Sequence, residues 1–165
     1  MTAPTTTAAA TPTDLPVILR IEQSLLEWRT LANAVRHAEL SVAPATAIVL
    51  NHFRRVLTQV TRTSASDPAA VGALVLTRRQ WRHIGIAARE AGAVLDDRRV
   101  PHTPARAEYR RELETMARCL VSFADELTTA TEHTSATVWR IRCAERRAVP
   151  HRPPRREHTS PEARP

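Results

Sequence analysis

Hydrophobic positions recur along most of the chain at spacings of three and four, which places them on one side of an α-helix. Four stretches show this pattern: 14–39, 44–62, 67–95 and 103–131. Each has a proline in its first turn, where proline is tolerated. The third stretch opens with Asp67-Pro68, an acidic N-cap followed by proline. The pattern predicts four long amphipathic helices.

Four such helices joined by short connections favour an all-α, up-down-up-down four-helix bundle over residues 14–133. The chain has only three glycines, and alternating β-branched runs are not apparent, so no sheet is expected. A bundle assembled from two chains' helices is the alternative. The third helix carries apolar residues outside its main stripe, which predicts either a central position or a dimer surface: Val71, Val75, Leu76, Ile86 and Val94.

The two ends have a different composition. Residues 1–13 are a Thr/Ala/Pro segment with little apolar bulk and are expected to be disordered. Residues 134–147 offer a short fifth helix of poor amphipathicity, and the Pro/Arg-rich tail beyond it is expected to be extended. The formal net charge is +7. Residues 134–165 hold eight arginines against three glutamates, a net +5, so most of the excess lies in the tail.

The sequence offers no motif for catalysis, for a cofactor or for a metal ion. It has no E-x-x-H on a helix, no glycine-rich phosphate loop and no zinc-type cysteine spacing. His52 is interpreted as a boundary residue of the second helix rather than as a ligand or base. With two cysteines, no secretory signal and no long apolar run, a cytoplasmic protein without a membrane partner is expected.

Polar residues on the third helix, together with arginines of the second, predict a surface for a protein partner or for a second copy of the chain. Glu90 and Arg118 are included because the family resemblance given below singles them out, and both lie away from the apolar seams. The predicted partner-binding residues are Arg55, Arg62, Arg78, Arg82, Arg89, Glu90 and Arg118.

The C-terminal region provides a second hypothesis, nucleic-acid binding. Arginines there would neutralise phosphates, and an indole among them would stack on a base. The competing interpretation is a solvated tail that keeps the protein in solution. The residues concerned are Trp139, Arg140, Arg142, Arg146, Arg147, Arg152, Arg155 and Arg156.

Three segments occur in an order that resembles a family of small all-α actinobacterial proteins of unknown function. They are Val49-Leu50-Asn51-His52-Phe53, Ala88-Arg89-Glu90-Ala91 and Met116-Ala117-Arg118-Cys119-Leu120. That family is loosely associated with natural-product biosynthesis. The resemblance implies a helical fold and a biosynthetic or regulatory setting, and singles out His52, Glu90, Arg118 and Asp125.

The leading functional hypothesis is therefore a non-enzymatic, helical-bundle accessory or interaction protein, linked to natural-product biosynthesis or its regulation. The alternatives are a nucleic-acid-binding protein and a small-molecule-binding or enzymatic protein. The last would need a pocket in the bundle core near Trp28, Trp81 or His52.

Overall fold

The computed structural model describes residues 17–62, 70–98 and 100–141. Over these residues the chain forms four α-helices, a short 3₁₀ turn at Pro104–Arg106 and one three-stranded sheet. The elements in chain order are β1 (Ile18–Ser24), α1 (Leu25–Ala38), α2 (Pro44–Arg62), β2 (Val71–Thr77), α3 (Arg78–Asp96), α4 (Ala107–Glu132) and β3 (Val138–Arg140). The protein is thus mostly helical, and the prediction of an all-α bundle is wrong as to the sheet.

The predicted first helix is divided into a strand and a helix at Ser24. Its side-chain oxygen accepts a hydrogen bond from the backbone N–H of Glu27, and the Glu27 carboxylate accepts one from the Ser24 N–H. This capping box starts α1 there and leaves the preceding residues extended. Leu19 and Ile21 are fully buried on either side of the exposed Arg20. This spacing of two is that of a strand, so the prediction that Ile18 and Ile21 lie on one seam of a helix is wrong, and Ile18 is exposed.

The predicted third helix is divided in the same way, at Thr77. Thr77 and Gln80 form the second capping box, so α3 begins at Arg78 rather than at Asp67-Pro68. The apolar run before it is β2, in which Leu74 is buried while Val71 and Val75 are exposed. Of the apolar residues that lie outside the main stripe of the predicted helix, Val71, Val75 and Leu76 therefore belong to the sheet.

The expected fifth helix also differs from the structure. Residues 138–140 form β3, which pairs in parallel with β1 at Arg20–Glu22. β2 pairs with the other side of β1 in antiparallel orientation, from Ile18 opposite Thr77 to Ser24 opposite Val71. The strand order is therefore β2-β1-β3. Residues 1–13 and the tail from residue 142 lie outside the described residues, so their predicted disorder stays a prediction.

The structure contains an internal repeat. A shift of 53 residues takes Ser24 to Thr77 and Trp28 to Trp81, and it maps the register of β1 and β2 onto itself. The Trp28 indole N–H donates to the Gly72 carbonyl at 3.0 Å, and the Trp81 indole N–H donates to the Leu19 carbonyl at 2.8 Å. Each tryptophan thus bonds to the other repeat's strand, at equivalent positions.

The second helix of each repeat extends this pseudo-twofold symmetry with a shift of 70 residues. That shift takes Leu50, Phe53 and Leu57 of α2 to Leu120, Phe123 and Leu127 of α4, and all six are buried. We call residues 18–62 the first unit and 71–132 the second unit. Both follow the plan β-α-α.

Four aromatic rings fill the centre where the units meet. The rings of Phe53 and Phe123 stack at 5.7 Å between centroids. Trp81 meets Phe53 edge-on at 6.2 Å, and Trp28 meets Phe123 edge-on at 6.1 Å, and such edge-to-face contacts are favourable. Among the helices that the structure describes, none is long and apolar enough to cross a membrane.

Candidate interaction surface

The outer side of α2 is basic and free of carboxylates. Its exposed residues include Ile48, His52, Arg55 and Arg62, and its nineteen residues contain no Asp or Glu. The inner side holds Leu50, Phe53 and Leu57 in the core, so the helical period places the arginines in solvent. Two of the predicted partner-binding residues, Arg55 and Arg62, therefore lie where a partner has access to them.

The outer side of α3 carries a second row of exposed basic residues. Arg79, Arg82, His83 and Ile86 are exposed along it. α2 and α3 are neighbours: the Thr46 hydroxyl donates to the Glu90 carboxylate at 2.6 Å, and Phe53 contacts Trp81 in the core. We call the exposed residues of these two helices the basic face; it comprises Ile48, His52, Arg55 and Arg62 of α2 with Arg79, Arg82, His83 and Ile86 of α3.

Arg78 lies apart from the basic face. It is 8% exposed, and its guanidinium donates to four carbonyl oxygens at the end of α4 and just beyond it: Ala130, Thr131, Thr134 and Ala136. The last carbonyls of a helix lack partners within the helix, so a buried guanidinium there satisfies them. The geometry gives Arg78 a structural role at the junction of β2, α3 and α4.

The remaining residues of the predicted partner surface lie nearer to α4. Arg89 is ion-paired with Asp125 at 2.7 Å, with both side chains about half exposed, and such pairs contribute about 1 kcal/mol or less. Glu90 accepts the Thr46 hydrogen bond. Arg118, on α4, is exposed and lines an open groove of about 580 Å³ with Gly92, Ser122 and Asp125. The predicted set is therefore divided. Arg55 and Arg62 lie on the outer side of α2, whereas Arg89 and Arg118 lie where α3 packs against α4.

The described part of the predicted nucleic-acid site is engaged in internal contacts. Trp139 is half-buried, its indole N–H donates to Glu126 at 3.1 Å, and its ring lies 5.1 Å from that of His133. Arg140 donates to Glu22 at 2.8 Å. Arg142, Arg146, Arg147, Arg152, Arg155 and Arg156 lie outside the described residues. Because β3 belongs to the sheet, a truncation that tests this hypothesis has to retain residues up to Ile141.

Glu22 is a charged residue of the sheet that sequence reasoning missed. Its carboxylate lies between Arg140 and Arg20, at 2.8 Å from each guanidinium. Hydrogen bonds from Arg140 and Arg20 lower the pKa of Glu22 below its usual value, because they stabilise the ionised carboxylate. The local sequence ILRIEQS gives only a weak signal for this network, because Arg140 lies 118 residues beyond Glu22 along the chain.

The alternative of a core pocket receives no support from the positions of its residues. Trp28 and Trp81 are fully buried among other aromatic rings, and His52 is exposed. A second open groove, of about 500 Å³, lies at the end of α3 and is lined by residues including Asp97, His102 and Arg110. Across 17–62, 70–98 and 100–141, no three His, Cys, Asp or Glu residues are grouped so that they could hold a metal ion.

Comparison with protein-family models, with curated proteins and with solved structures finds no match to this chain. The resemblance to the actinobacterial family therefore stays a prediction, and so does a link to natural-product biosynthesis. The genes that neighbour this one would test that link directly.

Proposed function

We propose that this is a non-enzymatic interaction protein whose basic face binds an acidic surface of a partner protein. The observation that carries the proposal is a pair of exposed isoleucines among arginines. Ile48 is 71% exposed on α2 and Ile86 is 67% exposed on α3. Exposed apolar side chains that lie on a charged surface favour a protein interface, because a few buried anchor residues supply much of the binding energy there.

Three arginines of the basic face are available for a partner, whereas the Arg82 guanidinium donates to the Thr131 carbonyl at 3.5 Å. Arg55, Arg62 and Arg79 make no ion pair with any residue in the described part of the chain. Guanidinium groups bind carboxylates through two parallel hydrogen bonds, and arginine is enriched at interfaces. An acidic partner would therefore gain specificity from the arginines and affinity from the isoleucines.

A protein partner is favoured over nucleic acid at this face because of its apolar centre. Non-specific nucleic-acid binding depends mainly on phosphate neutralisation, and single-strand binding adds aromatic side chains for stacking. The exposed ridges of α2 and α3 contain isoleucine and histidine but no Trp, Tyr or Phe.

Site-specific photo-crosslinking in the native cell tests the proposal. A photoreactive residue at position 86 is compared with one at position 26, because Leu26 is a large apolar residue outside the basic face, 58% exposed on α1. We expect one acidic protein to be captured at position 86 and not at position 26. Equal capture at both positions would contradict a specific surface.

The captured partner, once purified, allows a quantitative test. We expect Ile86→Asp and Arg79→Glu each to weaken binding by about tenfold or more, the effect of removing an interface anchor. Leu26→Asp is the matched control and should bind as the wild type does. Affinity should also fall as salt is raised. Unchanged binding by both basic-face variants would refute the proposal.

A further inference from the structure

The two edges of the sheet are protected to different degrees. β3 has three residues and carries Arg140, and both shortness and charge discourage pairing with another chain. β2 has seven residues, VGALVLT, and none of them is charged. The strand most open to pairing is therefore β2, at the edge opposite β3.

The register shows which backbone groups of β2 point outward. The Arg20 N–H donates to the Thr137 carbonyl, and the Glu22 carbonyl accepts from the Ile141 N–H, both at 2.9 Å. These two residues of β1 thus direct their backbone groups away from β2. Their partners across the antiparallel pair are Val75 and Ala73.

In an antiparallel pair, opposite residues either exchange two hydrogen bonds or direct their backbone groups to the outer sides. Ala73 and Val75 belong to the second kind, and so does Val71 two residues earlier. Within the described residues, no backbone hydrogen bond to these three is found. Each N–H and C=O at this edge is therefore open to another strand.

The side chains of the same three residues share the outer face of the sheet. Val71 is 65% exposed and Val75 is 53% exposed, with the small Ala73 between them. The edge is symmetrical about Ala73, because a valine lies two residues to either side. Two identical edges would therefore match each other in an antiparallel arrangement.

We propose that β2 pairs with β2 of a second copy of this chain, around a twofold axis beside Ala73. Ala73 then lies opposite Ala73 of the second copy, and Val71 opposite Val75 of the second copy. β-Branched residues opposite one another stabilise a sheet, and a twofold contact closes as a dimer. The result is one continuous six-stranded sheet.

The first test is the mass of the full chain by sedimentation or light scattering over about 10 to 500 µM, the range expected for a small interface. We expect a reversible dimer. Ala73→Pro removes only an outward N–H, and should weaken the dimer by at least about tenfold. Ala73→Ser keeps the N–H and is the matched control. A strict monomer throughout, or an Ala73→Pro variant that dimerises as the wild type does, would overturn the proposal.

Val75→Lys provides the same test if the proline variant does not fold. It keeps the backbone donor but places a charge opposite Val71 of the second copy, whereas Val75→Thr does not. We expect only the lysine variant to be monomeric at concentrations where the wild type is dimeric. Equal dimerisation of the lysine variant would contradict pairing at this edge.

Cross-linking tests the register. Opposite residues that exchange hydrogen bonds have Cα atoms about 5.5 Å apart, which a disulfide can bridge. With the native cysteines replaced by serine, Ala73→Cys should form a covalent dimer on mild oxidation. Val138→Cys, which is 50% exposed on β3, should remain monomeric. Equal cross-linking at both positions would show random collision and would refute the register.

Discussion

The two units share one plan but pack their helices differently. In the second unit α3 presents Gly85, Ala88 and Gly92 to α4. A shift of 53 residues places Ala32, Val35 and Glu39 at the equivalent positions of the first unit. Small residues let α3 lie close against α4. The repeat therefore fixes the arrangement of the elements, while local side-chain size sets how closely the helices approach.

The units differ even more on the outer face of the sheet. Glu22, bound by two arginines, corresponds to the exposed Val75, and Arg20 corresponds to Ala73. The inner face keeps its equivalence, since Ile21 lies opposite Leu74 and both are buried. The symmetry of the two units is therefore kept in the core, whereas their outer surfaces differ in charge and exposure.

The largest expected effect tests whether the two units are energetically equivalent. Trp28→Phe and Trp81→Phe each remove an indole N–H from a strand carbonyl and leave a cavity in the core. We expect each variant to lower the free energy of unfolding by about 2 to 4 kcal/mol, with similar values for the two. Urea denaturation would measure both. A loss of stability in only one of the two variants would show that the units are symmetric in structure but not in their contributions to stability.

A smaller effect concerns the close packing of the second unit. A Cβ atom at Gly92 would lie 2.7 Å from Val121 Cγ2 and 3.0 Å from the Ala117 carbonyl. We expect Gly92→Ala to destabilise the protein by about 1 to 3 kcal/mol. At Gly85 the nearest atom is 3.4 Å away. Gly85→Ala is therefore the control, neutral or stabilising by up to about 1 kcal/mol through helix propensity. A reversed order would contradict the described contact.

The smallest effect is the dependence of stability on pH. Because the pKa of Glu22 is lowered in the folded protein, its contribution is complete above the unfolded-state value of about 4.3 and is lost as pH falls through the folded-state pKa. Glu22→Gln should therefore be less stable than the wild type at pH 7, and the difference should shrink below about pH 4.3. Val75→Gln, at the equivalent position, should show no such trend. A pH-independent difference would exclude the charge as its cause.

Sequence periodicity was sufficient to predict the helices whose apolar residues form one continuous stripe. The prediction of α2 over 44–62 is confirmed, and α4 begins and ends close to its expected limits. The strands were missed because β1 and β2 are each followed directly by a helix, so strand and helix formed one apolar stretch. A signal was nevertheless present. Ser-x-x-Glu-Trp at 24–28 and Thr-x-x-Gln-Trp at 77–81 repeat a capping box followed by tryptophan.

The surface was harder to predict than the helices. A helical wheel identifies which arginines lie away from a seam, and it correctly placed Arg55 and Arg62 in solvent. It could not show that Arg78 ends beside carbonyls more than fifty residues away, because that contact depends on how α3 meets α4. Nor could it show that Arg140 returns to Glu22, since long-range pairing carries no local period.

The exchanged tryptophan hydrogen bonds have a consequence for how the chain reaches this fold. Neither unit contains the acceptor for its own indole, and the strands β1 and β2 pair with each other across the two units. Neither half is therefore an autonomous folding unit, and the folding of both halves is one cooperative event with their association. A chain cleaved between Arg62 and Ala70 should accordingly behave as two complementary fragments, each unstructured alone and both ordered when mixed.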